Sequence, residues 1–347
     1  MGIKNLHKFL RRHCPGVYVK KHLSEYAFKK IAIDISVYLF MYKVIFGDQW
    51  LDAFINLICC LRRNEIHCVF IYDGKSPPEK DIEKKRRRDT RGKQDEKNKL
   101  IEKAIAEYYE TGEIAQILRD IKTSPKSKRL LANTFDIKAC ERYLKKKQLQ
   151  VVNLVKEDFV NSKYLFSIMG IPYYVSSSEG ETMCAHLELS DKVYGVLSAD
   201  TDILAYGTGV FITKINTSAD TVIEVRVANI LKALELTQEQ FTDFCIMCGT
   251  DYNNNIYKVG PEKSYKLIKE FESIDDITVY DTNILNYKRG RELFAKKDMK
   301  DLKVPYCKQL NINKISDFLF INNCRISIKT ITKAFKSREL EFIENEI

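Results

Sequence analysis

No apolar run in this 347-residue sequence approaches the roughly 20 residues that a membrane-spanning helix needs. A secretory leader is also missing, because the opening MGIKNLHKFLRRH turns charged at once. Met1-Gly2 looks like the start of a myristoylation signal, but Leu6 stands where Ser or Thr is required, so no lipid anchor is expected. Zinc-ligand spacing is absent as well. Of the ten cysteines, only Cys245 and Cys248 form a CxxC, and it lies inside the apolar run Phe244 to Cys248 with no second pair following. Buried, reduced thiols are the expectation. There is no internal repeat. These absences point to a soluble intracellular chain without a membrane partner.

What is present is an apolar fraction of 45%, ample for a large core, together with a formal net charge of +10. An excess of that sign suits a polyanionic partner, nucleic acid first. Three runs rich in β-branched or aromatic residues end in aspartate: KKIAID at Asp34, CVFIYD at Asp73 and YGVLSAD at Asp200. Amphipathic stretches at 36–63 and 178–190 alternate with them, and the sheet pattern resumes at IPYYV after a helix around Phe159 to Met169. The order is β-α-β with a parallel sheet, whose ligands sit outside the strands' carboxyl ends. Between Lys75 and Lys147 the composition changes: KKRRRDTRGKQDEKNK is nearly all charged, with no apolar periodicity to bury against the sheet. That stretch reads as an excursion from the core, helical in part and broken near Thr123-Ser124-Pro125. Beyond it, TQEQFTDFCIMC begins at a Thr237 cap with Gln240 in the capping-box position, and Gly260-Pro261 opens the second helix of a helix-turn-helix.

Glu179 and Glu181 are two residues apart and therefore point apart on a helix. Ser178 and Glu181 fit a capping box, a purely structural role. Asp200 and Asp202 repeat the spacing, and Asp251 follows a helix in GTDY, so with Asp34 and Asp73 seven carboxylates fall at element ends. Converging like charges demand protons or a cation. Hard oxygen ligands select Mg2+, with Mn2+ able to substitute, and two ions roughly 4 Å apart can clamp both oxygens of a phosphodiester displacement. Lys80 and Arg87, seven residues apart, share a helical face from which to reach the phosphate. The run Lys84 to Arg88 otherwise reads as a solvated basic face or a nuclear address, and Phe40 as a core aromatic or a base-stacking one.

At these residues the sequence resembles the flap endonuclease family, structure-specific 5′ nucleases with a PIN-like core. The resemblance runs in order through MGIKNL, IAIDIS, VFIYDGKSPPEK, LFSIMGIPYYVSSSEGETMCA, YGVLSADTDILAYG, FTDFCIMCGTDY and VGPEKSYKLI. It implies an α/β PIN-like core, its mainly parallel central sheet flanked by helices, with a helical arch and cap and a C-terminal helix-turn-helix of the H2TH type. On this reading 1–347 form a single nuclease domain: 1–74 and 151–275 make the core, 75–150 the gateway and cap, and 276–347 a C-terminal helical region. Two Mg2+ ions would be held by Asp34, Asp73, Glu179, Glu181, Asp200, Asp202 and Asp251. Lys80 and Arg87 would be catalytic. DNA would be touched by Gly2, Phe40, Lys84, Lys85, Arg86, Lys258, Gly260 and Lys263, with a K+ ion at the helix-turn-helix.

The sequence departs from the family pattern in places. Phe40 replaces a stacking tyrosine, and Tyr257 and Glu262 stand where relatives carry basic residues, so weaker duplex grip is expected. The short Asp34 to Asp73 interval implies a reduced wedge. The tail KSRELEFIENEI carries no clamp motif, so no sliding-clamp partner is expected. The implied activity is Mg2+-dependent cleavage of branched DNA, such as a 5′ flap, nick, bubble or junction, by a monomer in the nucleus, a viral factory or another replication compartment, serving replication, repair or recombination. Alternatives are a 5′-3′ exonuclease or a bubble or junction cutter on the same core, an aspartyl-phosphate phosphohydrolase using Asp200, and a non-catalytic DNA-binding scaffold.

Overall fold

The computed structural model describes residues 2–121, 135–297, Met299 and 301–336. The chain opens with helix α1 (Leu6–His13) and the short strand β1 (Val19–His22). Strand β2 (Lys30–Asp34) runs into α2 (Ile35–Phe46), α3 (Trp50–Arg63) and β3 (His67–Tyr72). The charged excursion is helix α4 (Asp81–Thr111), closed by Gly112 in the left-handed region, followed by the one-turn α5 (Gln116–Arg119) and by α6 (Ile137–Gln148). The core resumes with α7 (Lys156–Ile168), β4 (Tyr173–Val175), α8 (Gly180–Leu189), β5 (Gly195–Leu197) and the one-turn α9 (Asp202–Ala205). The hairpin β6 (Val210–Asn216) and β7 (Thr221–Arg226) leads to α10 (Val227–Leu234), α11 (Gln238–Cys248), α12 (Pro261–Phe271), α13 (Tyr287–Phe294), α14 (Ile312–Ile321) and α15 (Ile328–Ala334).

The strands form one sheet in the order β1-β7-β6-β5-β2-β3-β4; β6 to β4 are parallel, while β7 and β1 are antiparallel additions. The expected mainly parallel sheet is present, and β1, β6 and β7 are strands that the reading of apolar runs did not find. Central strands β2, β3 and β5 are apolar between their ends because helices cover both faces. Alternation within them assigns each face. Ala32, Val69 and Ile71 join α1, α8 and α10 to α12, while Ile31, Ile33, Cys68, Phe70 and Tyr72 join α2, α3, α7, α14 and α15. Edge strand β1 is mostly exposed and carries Lys20 and Lys21, charges that discourage pairing with another chain.

One expectation is corrected here. Residues Ile35–Arg63, 29 in all, are long and apolar enough to cross a membrane by composition. They fold instead as α2 and α3, separated at Gly47, with 56% of the most apolar window buried against the sheet. All ten cysteines are free thiols, eight of them buried. The break expected at Thr123-Ser124-Pro125 and the clamp-motif segment Ser337 to Ile347 lie outside the described residues.

Helix α4 rests on the rest of the molecule differently from every core helix. Only Asn98, Ile101, Ala104 and Ile105 are buried along its length, all in its second half, and Ile101, Ala104 and Ile105 pack with Leu118, Cys140 and Leu144 in a small core of their own. Its first half projects charged residues over the carboxyl edge of the sheet.

Phe70 and Phe166 stack in the main core at a centroid distance of 4.1 Å, both fully buried. Phe166→Ala is expected to cost about 3–5 kcal/mol, read as a drop in the urea midpoint at unchanged slope.

Candidate active site

The acidic residues gather where the strand ends dictate. Asp34 ends β2 and caps α2, its Oδ1 accepting the Ser36 N–H at 3.1 Å and its Oδ2 the Ser198 hydroxyl at 3.2 Å. Asp73, just past β3, accepts the Ser36 hydroxyl at 2.5 Å and the Gly180 N–H at 2.6 Å. Asp200 lies in the turn beyond β5 rather than at its end, where its N–H donates to Ser198 Oγ and its Oδ1 accepts the Asp202 N–H, each at 3.0 Å.

Glu179 and Glu181 stand at the start of α8, but the capping-box reading is corrected. Glu179, not Ser178, is the capping residue, and no side chain closes that end. The first N–H of the helix, that of Gly180, is taken by Asp73 instead, which frees both glutamates to turn into the cleft. Tyr252 meets both: its hydroxyl donates to Glu179 Oε2 and to Glu181 Oε1. A phenol has one proton to give, so the two carboxylates share it. Two backbone contacts hold this corner. Gly74 lies so close to residues 176–178 that a Cβ there would come within 1.9 Å of the Ser176 carbonyl. At Gly2, φ is +84° and a Cβ would fall 2.1 Å from Asp200 Oδ1, so only glycine fits beside the acids.

Two cations reach in from outside the core. Lys80 sits on a 3-10 turn just ahead of α4 rather than within the helix, and its Nζ is 2.5 Å from Glu179 Oε1, 3.5 Å from Asp251 and 4.0 Å from Glu181. Arg87, on α4, contacts both oxygens of Asp251 at 2.7 Å. All seven carboxylates and both cations are thus in one neighbourhood. Both cations and six of the acids, all but the fully buried Asp202, line a cleft of about 670 Å³ with Phe40, Arg86, Arg91 and Asn153 on its walls, and a second opening of about 680 Å³ shares Lys80 and Arg87 and is lined by Lys84 and Arg88.

Electrostatics mark the cluster as incomplete. Burial, then Asp73 and Asp200, push the Asp34 carboxyl up to about 8. Burial first and neighbouring carboxylates second hold Glu181 and Asp202 well above the usual range, and burial raises Asp200 too. Burial works against the Lys80 charge, yet Glu181, Glu179 and Asp251 outweigh it and raise its pKa. Asp202 is fully buried, and among the described residues neither of its oxygens has a hydrogen-bond partner. One oxygen each from Glu181, Asp200 and Asp202 lies within 4.8 Å of the others. An orphaned buried carboxylate in an all-oxygen cluster is the donor set of a hard divalent cation. The group fits.

The comparisons with known proteins agree with this geometry. Residues 1–94 match the XPG N-terminal domain and residues 170–251 the XPG I-region, which between them hold all seven acids and both cations. A probable RAD2-like endonuclease, 369L, of Invertebrate iridescent virus 6 is 33% identical over 336 residues, covering 87% of this chain and 81% of the relative.

The chain belongs to the flap endonuclease family.

It is therefore a structure-specific 5′ nuclease that hydrolyses phosphodiester bonds and acts on branched DNA. Flap endonuclease 1 of Babesia bovis is 29% identical over 339 residues, 93% of this chain and 45% of that one. Among solved structures, the catalytic core of Rad2 in complex with DNA substrate shares the fold at a TM-score of 0.64 and 16% identity, covering 95% of this chain and 97% of that one. Flap endonuclease-1 from Methanococcus jannaschii does so at 0.61 and 20%, over 95% and 98%.

The remaining sequence expectations have clear positions in this family fold. Phe40 lines the cleft, with the Arg91 guanidinium 5.9 Å from its ring. Lys84 and Lys85 are exposed on α4, whereas Arg86 is paired with Glu83 at 2.6 Å. Lys258 and Lys263 are exposed on the turn before α12 and on α12 itself, and Gly260 caps that helix with open space around it. Ser36, Ser198 and Tyr252 were missed as site residues, although each sits inside a quoted motif: IDIS, LSAD and GTDY.

Raised carboxylates mean that the metal-free folded protein keeps protons which the unfolded chain has released. Their stabilisation is complete below the ordinary carboxylate range near pH 4 and is lost as pH rises, up to about 8 for Asp34. The melting temperature in chelator is expected to fall between pH 5 and pH 8, Mg2+ or Mn2+ to reverse the fall, and Asp202→Asn to raise the chelated value while blunting the metal response.

Proposed function

We propose that the protein is a two-metal, Mg2+-dependent flap endonuclease in which Asp34, Asp73, Glu179, Glu181, Asp200, Asp202 and Asp251 hold the ions. The observation that carries this reading is the meeting of Lys80 and Arg87 with the buried acids across one cleft, next to a carboxylate with no hydrogen-bond partner among the described residues. When bound, the ions supply hydroxide and neutralise charge at the leaving oxygen, the chemistry common to such sites. Everything else falls to side chains. Lys80 and Arg87 exchange Glu179 and Asp251 for the scissile phosphate, so the partners seen here mark where its oxygens would lie. Ser36 and Ser198 fix the rotamers of Asp34 and Asp73, and the Tyr252 proton keeps Glu179 and Glu181 from repelling each other apart. Phe40 stacks on the base beside the cut, Gly2 leaves room next to Asp200, and Lys84, Lys85 and Arg86 hold the 5′ strand.

On the same reading, 1–74 and 151–275 form one nuclease core, 75–150 the gateway and cap, and 276–347 a C-terminal region that belongs to the same domain. The helix-turn-helix grips duplex backbone through Lys258, Gly260 and Lys263, with K+ bound there. The compartment is one of DNA replication, the nucleus or a viral factory, and the tasks are replication and repair.

A 5′-labelled set of single strand, nick, 5′ flap, flap with a one-nucleotide 3′ flap and four-way junction tests the reading. Metal-dependent incision near the flap base is expected, abolished by chelator and by Asp200→Asn. Lys80→Ala and Arg87→Ala should each lower the single-turnover rate about 10²–10³-fold with DNA affinity nearly unchanged. Full-rate cleavage by Lys80→Ala would sink the assignment of that residue.

A further inference from the structure

We propose that the exposed face of α1 is a phosphate-binding rail for duplex DNA leaving the active site, with Glu262 as its positioning residue. This rests on the nuclease reading of the acidic cleft. Helix α1 buries Leu6, Phe9 and Leu10, and Phe9 packs against Phe244 of α11 and Tyr265 of α12 at centroid distances of 5.0 and 5.5 Å. That fixes the opposite face outward. Lys8 and Arg12 follow one another at i and i+4 along it, with Arg11 on their flank and Lys4 just ahead of the helix, all exposed and with no acid on the helix.

A basic face alone is ordinarily only solvated. Three further observations set this one apart. First, it is continuous with the catalytic cleft: Gly2 packs on Asp200, and the Lys4 N–H donates to the Gly249 carbonyl at 3.0 Å, at the head of the loop that carries Asp251. Second, its cations are aimed. Lys4 Nζ donates to Asn255 Oδ1 at 2.6 Å, while Glu262 of α12 takes Arg12 at 3.3 Å and His13 at 2.9 Å. Third, Lys263 and Lys266 follow Glu262 in the sequence of α12 and Lys258 stands just ahead of that helix, all exposed, and the acid in its first turn is Glu262 itself, already paired.

The spacing suits a phosphate backbone. Lys8 to Arg12 spans about 6 Å along the helix, the axial rise of about two phosphates of one strand, and Lys4 extends the row toward the cleft. Glu262 therefore changes meaning. Read from sequence, it is an acid where relatives carry a base and a cause of weak grip; in the fold, its charge is spent on Arg12 and His13, and the grip passes to the amino-terminal helix. Its carboxyl is held below its ordinary range by those partners, His13 first, so it stays ionised to do so.

The test is DNA affinity in chelator, measured by fluorescence anisotropy across about 50 to 200 mM salt. The probes are a flap with a downstream duplex and a single strand of equal length. Lys8→Ala/Arg12→Ala is expected to weaken flap binding severalfold and to lower the salt slope by about one per lost phosphate contact, leaving the single strand unaffected. Glu262→Gln should also weaken flap binding although it removes a negative charge, because Arg12 loses its anchor. Lys329→Ala, exposed on α15 on the other side of the sheet, should change nothing. An unchanged slope in the double variant, or tighter binding by Glu262→Gln, overturns the rail. If flap incision by the wild type is normal in that case, the nuclease reading survives; a wild type that neither binds nor cuts any flap loses both.

Discussion

Like charges buried side by side at the carboxyl edge of a parallel sheet are the constraint from which the rest of this protein follows. Parallel strands must end together, and whatever follows them is held in a row by backbone that cannot relax sideways. Asp34, Asp73 and Asp200 occupy that row, and α8 adds Glu179 and Glu181 from above. A protein built this way stores unfavourable electrostatic energy in its resting state and needs counter-charge from somewhere. Lys80, Arg87 and the proton of Tyr252 meet part of the need, and the unpartnered oxygens of Asp202 show how much is left for a cation.

The same constraint explains why the counter-charges come from a separate element. A lysine fixed in the core would neutralise the acids permanently and compete with metal. Lys80 and Arg87 instead enter on the turn and helix that leave the core after β3, and Glu83 steadies Arg87 at 2.7 Å from the far side. Their ion pairs with Glu179 and Asp251 are exchangeable because the cleft stays open to solvent on both sides of them.

How much of this could be read from the chain alone varied with the range of the forces involved. The central strands were legible because burial on both faces makes the interiors of runs such as KIAID and HCVFIY continuously apolar. The Thr237 cap and the Gly260-Pro261 entry were legible because capping is local chemistry, and both are present. Ser178 misled for the complementary reason: Asp73, more than a hundred residues away, outcompetes it for the amino end of α8. Strands β6 and β7 escaped notice since Thr213, Lys214, Asn216, Thr221, Glu224 and Arg226 interrupt their apolar residues. The segment between α13 and α14 has no pattern of its own, being held by single long-range bonds such as Tyr174 to the Lys303 carbonyl at 2.6 Å and Lys30 to that of Val304 at 2.7 Å. Strand ends and spacing singled out the seven acids and two cations and the resemblance gave them roles; what neither could supply was that Glu262 faces α1.

Helix α4 carries one further consequence. Its outer half is secured by a miniature core built from Ile101, Ala104, Ile105, Leu118, Cys140 and Leu144, which shares no residue with the two large clusters against the sheet. Even with partly buried neighbours such as Tyr108 and Phe135 packed on it, this core is smaller than either sheet cluster, the kind of unit that opens by its own local equilibrium. In such a unit hydrogen exchange would run ahead of global unfolding, and substitutions in those six positions would retune how often the cleft is uncovered while leaving the chemistry beneath it alone. Admission and catalysis are thereby separate quantities, each adjustable at its own residues.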